Sequence, residues 1–100
     1  MANVTEIMYA GRVNAHGKIT SLASDFSLKN NEPFALYVHP KTFTEDVMMT
    51  VNLKAYKDTG FSDCPINFDM WNPVSVVGIK AGAIDLTLCD VWWGAGEGIN

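Results

Sequence analysis

The sequence is poor in charge, and it lacks both a long hydrophobic run and a block of like charges. Only 18% of its 100 residues are charged, and 11 acidic against seven basic residues give a net charge of −4 at pH 7. An acidic, weakly charged chain binds nucleic acid or an anionic membrane surface poorly. No apolar run approaches the ~18 residues that cross a bilayer. We therefore expect neither nucleic acid nor a membrane among its partners.

A secretory signal and a metal-ligand spacing are also missing. The first six residues contain neither a basic nor an apolar region, so no targeting segment is predicted. His16 and His39 lie far apart in predicted turns, with no cysteine or carboxylate pair to complete a ligand set, so no metal and no cofactor are expected. Without a sign of secretion, Cys64 and Cys89 are predicted to be two buried free thiols, with a disulfide as the alternative.

Apolar residues at helical spacing never persist for three turns, whereas alternation with a period of two is clear. In residues 46–56, Val47, Met49, Val51, Leu53 and Ala55 share one face, and Met48, Thr50, Asn52, Lys54 and Tyr56 share the other. Further strands are predicted at 83–93, 74–79, 34–38, 19–22 and 6–13, with a turn at 14–17 between the last two.

Five or six short strands separated by turn residues predict an all-β fold, and a single sheet would leave one apolar face in water. We therefore predict a small β-sandwich, jelly-roll-like or Ig-like, of about six to eight short antiparallel strands. The chain length fits one domain, which we expect to span residues 1–93. A glycine-rich C-terminal arm would then occupy residues 94–100.

The aromatic residues are numerous for so short a chain, with three tryptophans and three tyrosines. Adjacent residues of a strand point to opposite faces, so only one of Trp92 and Trp93 can enter the core. The other, with Met48 and Tyr56, predicts an apolar surface that faces water or a partner. The predicted partner-binding residues are Met48, Tyr56, Trp92, Trp93, Gly94, Gly96 and Ile99.

The tripeptide Asp58-Thr59-Gly60 resembles the signature of retroviral, pepsin-like aspartic proteases. In that family the aspartate is buried at a dimer axis and shares a proton with its twin. Lys57 stands here where the family has an apolar strand, and Asp and Gly are typical turn residues. We interpret the tripeptide as a turn, and an enzyme that acts through Asp58 is the third hypothesis for function.

Two segments, VNLKAYKDTGF at 51–61 and DLTLCDVWWG at 85–94, resemble small β-rich virion proteins of tailed bacteriophages, such as capsid decoration or auxiliary proteins. The resemblance implies a non-enzymatic structural protein that binds and stabilises the shell. It also implies the major capsid protein or another virion protein as partner, a homo-oligomer within the assembly, and a location in the virion after synthesis in the bacterial cytoplasm.

A carbohydrate-binding or adhesin-like β-sandwich module is the alternative. An exposed tryptophan can stack on the face of a sugar while nearby Asp and Asn side chains bond its hydroxyl groups. Tryptophan fluorescence that responds to glycans rather than to a protein partner would distinguish this alternative from the virion hypothesis.

Overall fold

A computed structural model describes residues 15–95 of the chain. These residues form six strands and one 3-10 turn at Lys29–Asn31. The strands are β1 (Ala15–Lys18), β2 (Ala35–Pro40), β3 (Met48–Ala55), β4 (Ser62–Asn67), β5 (Val76–Ile79) and β6 (Cys89–Ala95). They form two antiparallel sheets, sheet I with the order β1-β6-β2 and sheet II with the order β4-β3-β5. The predicted small all-β sandwich is confirmed.

The core lies between the inner faces of the two sheets. Sheet I contributes the fully buried side chains of Leu36, Val38 and Val91, together with Phe34 directly before β2. Sheet II contributes those of Val51, Leu53, Ile66, Val76 and Ile79. Burying each of these side chains contributes about 1.5–3 kcal/mol to folding. The alternation predicted for 46–56 is visible in β3, where Val51 and Leu53 are buried while Met48 and Thr50 are exposed. It does not extend to Val47, which precedes the strand and is exposed although it was predicted on the same face as Val51.

Three predicted strands are present with shifted ends. β3 lies within the predicted 46–56, and β5 within 74–79. β2 begins one residue later than the predicted 34–38 and continues to Pro40, which stands opposite Cys89. Proline is tolerated there because it lies at the end of the strand, where a missing N–H donor disturbs no further pairing.

The predicted strand at 83–93 is wrong in its first half. Residues 83–88 form bends and a turn, and β6 begins only at Cys89. The carboxylate of Asp85 accepts hydrogen bonds from the Thr87 backbone N–H (2.9 Å) and the Thr87 hydroxyl (2.6 Å). The backbone carbonyl of Asp85 accepts from the N–H groups of Leu88 and Cys89. Local bonding by Asp therefore competes successfully with strand formation.

The predictions near the start of the described chain are also corrected. Residues 15–17, predicted to be part of a turn, belong to β1. Residues 19–22, predicted to be a strand, lie outside both sheets. The predicted strand at 6–13 lies outside the described residues. Gly17 stands opposite Trp93. A Cβ atom at Gly17 would be only 2.7 Å from Trp93 Nε1. Gly17 is therefore required for close packing rather than for a turn.

β4 was not predicted from the sequence. It pairs with β3 at the edge of sheet II, and Ile66 is its buried residue. Pro65 within the segment argues against a central strand but is compatible with an edge strand. The edge position, which only the fold defines, explains why the segment forms a strand at all.

Candidate functional site

Trp92 and Trp93 lie on opposite faces of β6, as predicted. Trp93 faces inward, packs against the core and crosses over Gly17. Trp92 lies on the outer face of sheet I, where the Nζ atom of Lys18 is 5.6 Å from the centroid of its ring. Trp93 is therefore a packing residue, and only Trp92 of the pair is available to a ligand.

The other predicted contact residues do not form one surface with Trp92. Met48 begins β3 and Tyr56 follows its end, so the two lie at opposite ends of that strand in sheet II. Gly94 is buried in β6, which runs two residues beyond the predicted domain end at 93. Gly96 and Ile99 lie outside the described residues.

One end of the sandwich exposes several large apolar side chains. Six large hydrophobic residues are exposed between residues 15 and 95, namely Phe43, Val47, Met48, Tyr56, Met70 and Leu88. We define the apolar end as Phe43, Val47, Met48 and Leu88. Phe43 is 90% exposed and Val47 is 72% exposed, in the connection between β2 and β3. The connection reaches Leu88 because the N–H of Lys41 donates to the Leu88 carbonyl at 2.9 Å.

A depression of about 440 Å³ adjoins Phe43 at the apolar end. Val47 and Phe68 also line it, and the N–H of Phe68 donates to the Val47 carbonyl at 2.9 Å. At its rim, His39 Nδ1 and Asp69 Oδ1 are 2.5 Å apart. The apolar end thus combines a projecting aromatic side chain with a recess. Phe43 was not predicted as a contact residue because it stands in a polar stretch without alternation.

A second depression, of about 250 Å³, lies on the outer face of sheet I and is called here the aromatic depression. It is lined by Tyr37, Trp71 and Trp92, with His16 beside them. Tyr37 and Trp92 are directly opposite each other on β2 and β6. Their ring centroids are 5.7 Å apart, and those of Tyr37 and Trp71 are 5.4 Å apart. Both contacts are edge-to-face, a favourable geometry for aromatic pairs.

Trp71 reaches this face because the next residue ties its loop to β2. Asn72 is the buried polar residue of the described chain, and its backbone N–H donates to the Leu36 carbonyl at 2.9 Å. Its side-chain amide donates to the carbonyls of Leu36, Asn67 and Met70 and accepts from the Asn67 N–H. Four hydrogen bonds made by one side chain, three donated and one accepted, hold the loop, so Trp71 is placed before any ligand arrives.

Lys18, whose ammonium lies over the Trp92 ring, also pairs with an acidic side chain of β6. Lys18 Nζ is 3.0 Å from Asp90 Oδ1, and Lys41 Nζ is 3.8 Å from the same oxygen. The hydrogen bond from Lys18 lowers the pKa of Asp90, and the charges of Lys18, Lys41 and His39 act in the same direction. Asp90 therefore stays ionised beside Lys18, the residue whose ammonium lies over Trp92.

The remaining candidates from the sequence are Asp58 and the two cysteines. Asp58 is exposed and closes a turn after β3, in which its N–H donates to the Ala55 carbonyl. The turn thus lies one step before the predicted Asp58-Thr59-Gly60, and Lys57 rather than Gly60 adopts the positive φ. Cys64 and Cys89 are free thiols, although only Cys89 is buried; burial raises the pKa of Cys89. In this part of the chain no three His, Cys, Asp or Glu side chains are arranged to hold a metal ion, and no helix is long and apolar enough to cross a membrane.

Comparison of the chain with protein-family models, with curated proteins and with solved structures gave no match. Function is therefore inferred from the two surfaces themselves, the apolar end and the aromatic depression.

Proposed function

We propose that the chain is a non-enzymatic structural subunit of a virion, of the capsid decoration or auxiliary type, that docks onto a shell protein by its apolar end. The observation that carries this proposal is the gathering of Phe43, Val47, Met48 and Leu88 at one end of the sandwich. Large exposed apolar side chains concentrated at one end of a domain mark interaction sites, because covering them removes apolar area from water.

The shape of the apolar end supports docking onto a protein. Phe43 projects from the connection between β2 and β3, and the depression beside it has room for a side chain of the partner. Aromatic anchors that fill a partner's pocket carry a large share of the energy of an interface. A net charge of −4 favours a protein partner over nucleic acid.

Many copies on one particle would multiply a modest affinity. When copies bind neighbouring positions of a shell and contact each other, each further contact forms at high effective concentration. The proposal therefore includes a homo-oligomeric arrangement within the assembly and a location in the virion. The stabilising effect on the shell follows, because each bound copy bridges adjacent shell subunits.

The proposal is tested by site-specific photo-crosslinking. A photoreactive phenylalanine analogue is placed at Phe43, and the particles of the organism that encodes the chain are purified by density-gradient centrifugation. We expect the chain in the particle fraction and a crosslink from position 43 to the main shell protein. The matched control is the same analogue at Thr59, an exposed position in the turn after β3, at the opposite end of that strand.

Two results would contradict the proposal: absence of the chain from the particles, or equal crosslinking from positions 43 and 59. Trp93 is unsuitable as a test position, since it packs against the core and its replacement would disturb folding. Light scattering of the purified chain and of the particle-bound form measures the oligomeric arrangement separately.

A further inference from the structure

We propose that the aromatic depression of sheet I binds a neutral sugar ring. The depression is a different surface from the apolar end, so a sugar site there goes beyond the proposed docking function and does not rest on it. The contacts of Tyr37, Trp71 and Trp92, and the polar side chains that adjoin them, carry the proposal.

The three aromatic rings form the walls of a hollow that exists before a ligand binds. The ring plane of Tyr37 is inclined by 67° to that of Trp71 and by 80° to that of Trp92, so the rings do not stack on each other. All three side chains are half-buried, and each is supported by its neighbours or by the bonds of Asn72. Little side-chain freedom remains to be lost on binding, which favours affinity for a small ligand.

Polar side chains that donate or accept hydrogen bonds lie next to the aromatic rings. His16 lines the depression, Lys18 lies over Trp92, and Asp90 is bonded to Lys18. A sugar ring presents apolar C–H groups on its face and hydroxyl groups, each a donor and an acceptor, around its rim. The imidazole of His16 and the ammonium of Lys18 can donate hydrogen bonds to these hydroxyl groups, and the phenol oxygen of Tyr37 can accept them. The aromatic depression therefore matches both parts of a sugar.

Size and charge select a neutral sugar among possible ligands. The volume of about 250 Å³ lies below the roughly 300 Å³ at which pockets for drug-sized ligands begin. An anion would approach the carboxylate of Asp90 in a chain of negative net charge, and a cation would be repelled by the ammonium of Lys18 beside Trp92. A protein partner would have to cover roughly 800 Å² on a face that carries the charged pair of Lys18 and Asp90.

The test is an NMR titration of the ¹⁵N-labelled full chain. The probes are maltotriose, cellotriose, mannotriose, chitotriose and lactose, each added up to about 10 mM, where even millimolar dissociation constants are measurable. At least one sugar should shift the indole N–H signals of Trp71 and Trp92. The signal of Trp93, which packs inward over Gly17, should stay in place.

Variants assign the effect to the site. Trp71→Ala should weaken the binding of the active sugar at least tenfold, whereas Phe43→Ala, at the apolar end, should bind it as the parent does. His16→Ala provides a second variant in case Trp71→Ala fails to fold, since His16 is exposed on an outer strand of sheet I. This variant should also weaken binding, by a factor measurable in the same titration.

The proposal is overturned if none of the five sugars shifts the signals of Trp71 and Trp92. It is equally overturned if a proline-rich peptide shifts them and the sugars do not, because such peptides also dock onto aromatic grooves. The titration uses the isolated chain and needs no particle. Its failure therefore leaves the crosslinking test at Phe43 unaffected, and the failure of that test leaves the sugar site standing.

Discussion

The apolar end and the aromatic depression both present aromatic side chains to water, but they do so in opposite ways. Phe43 projects from a loop and is almost fully exposed, whereas Tyr37, Trp71 and Trp92 are recessed and lean on one another. A projecting side chain gains most when it enters a partner's pocket, and recessed rings can only receive a ligand. The comparison supports the two proposals, of a macromolecular partner at one surface and of a small molecule at the other.

The two surfaces also differ in their support. The aromatic depression is built on paired strands and on the hydrogen bonds of Asn72, while Phe43 and Val47 belong to a connection between strands. Substitutions that weaken the strand pairing or the hydrogen bonds of Asn72 should therefore distort the aromatic depression. Substitutions of projecting side chains should change binding at the apolar end without changing the free energy of unfolding.

Asn72→Ala should have the largest effect and should affect the two surfaces unequally. The variant removes four side-chain hydrogen bonds from the loop that carries Trp71. We expect a loss of about 2–4 kcal/mol in the free energy of unfolding, measured by denaturant titration. Thr59→Ala, at an exposed turn position, is the control and should change little. A loss below about 1 kcal/mol for Asn72→Ala would show that the loop is held by other contacts.

Gly17→Ala should disturb the β1 side of the aromatic depression and leave the apolar end intact. Its new methyl group would meet Trp93 Nε1 at 2.7 Å, so β1 or the indole must move. We expect a destabilisation of about 1–3 kcal/mol, measured by thermal or denaturant unfolding. Gly60→Ala is the matched control, since a methyl group there would meet no atom within 4 Å beyond its chain neighbours. Equal stabilities of the two variants would contradict the close contact of Gly17 with Trp93.

Phe43→Ala should leave the free energy of unfolding nearly unchanged and weaken capture by the shell protein. Losing one aromatic anchor is expected to cost at least about 1.4 kcal/mol of binding free energy, a factor of ten in affinity. Binding of purified chain to stripped particles measures this factor. Tyr56→Ala, also exposed but at the other end of β3, is the control. Similar losses from both variants would remove the distinction between the two ends of the molecule.

Asp90→Asn should have the smallest effect, and a pH-dependent one. The hydrogen bond from Lys18 holds the pKa of Asp90 below its ordinary value of 3.8, so the ionised carboxylate stabilises the folded chain above that value. This contribution is lost as the pH falls through the lowered pKa. As the pH falls below about 4, the free energy of unfolding of the variant should therefore decrease less steeply than that of the parent.

Lys18→Met should imitate Asp90→Asn more closely than Lys41→Met does, because Lys18 lies 3.0 Å and Lys41 3.8 Å from the carboxylate. Lys18 borders the aromatic depression, whereas Lys41 belongs to the connection that carries Phe43. Urea unfolding at a series of pH values measures the effect. A parent and a Lys18→Met variant with parallel pH profiles would contradict the assigned role of this pair.

Sequence patterns located the strands whose side chains alternate between core and solvent. β3 shows a buried Val51 and Leu53 because its alternation continues over the whole strand, and this pattern survives in the fold. The pattern failed at 83–88, where the side chain of Asp85 bonds locally, and at β4, where Pro65 is acceptable only on an edge strand. Local hydrogen bonds and edge positions do not change the order of apolar and polar residues, so periodicity cannot reveal them.

The candidate surfaces were predictable only in part. The opposite faces of Trp92 and Trp93 followed from their adjacency, but which of them points inward depended on the packing of Trp93 over Gly17. Tyr37 meets Trp92 through the register of β2 and β6, and Trp71 joins them because Asn72 bonds across to Leu36. Each of these contacts joins residues that are far apart in the sequence. A single sequence does not show which distant residues come into contact.

By itself, the sequence determined the all-β class and the inward or outward direction of side chains along β3, because both depend on short-range alternation and on the burial of apolar area. Only the tertiary structure decided which aromatic residues meet and which project, since strand register, edge positions and loop anchoring depend on contacts between distant segments. The apolar end and the aromatic depression both depend on these tertiary contacts.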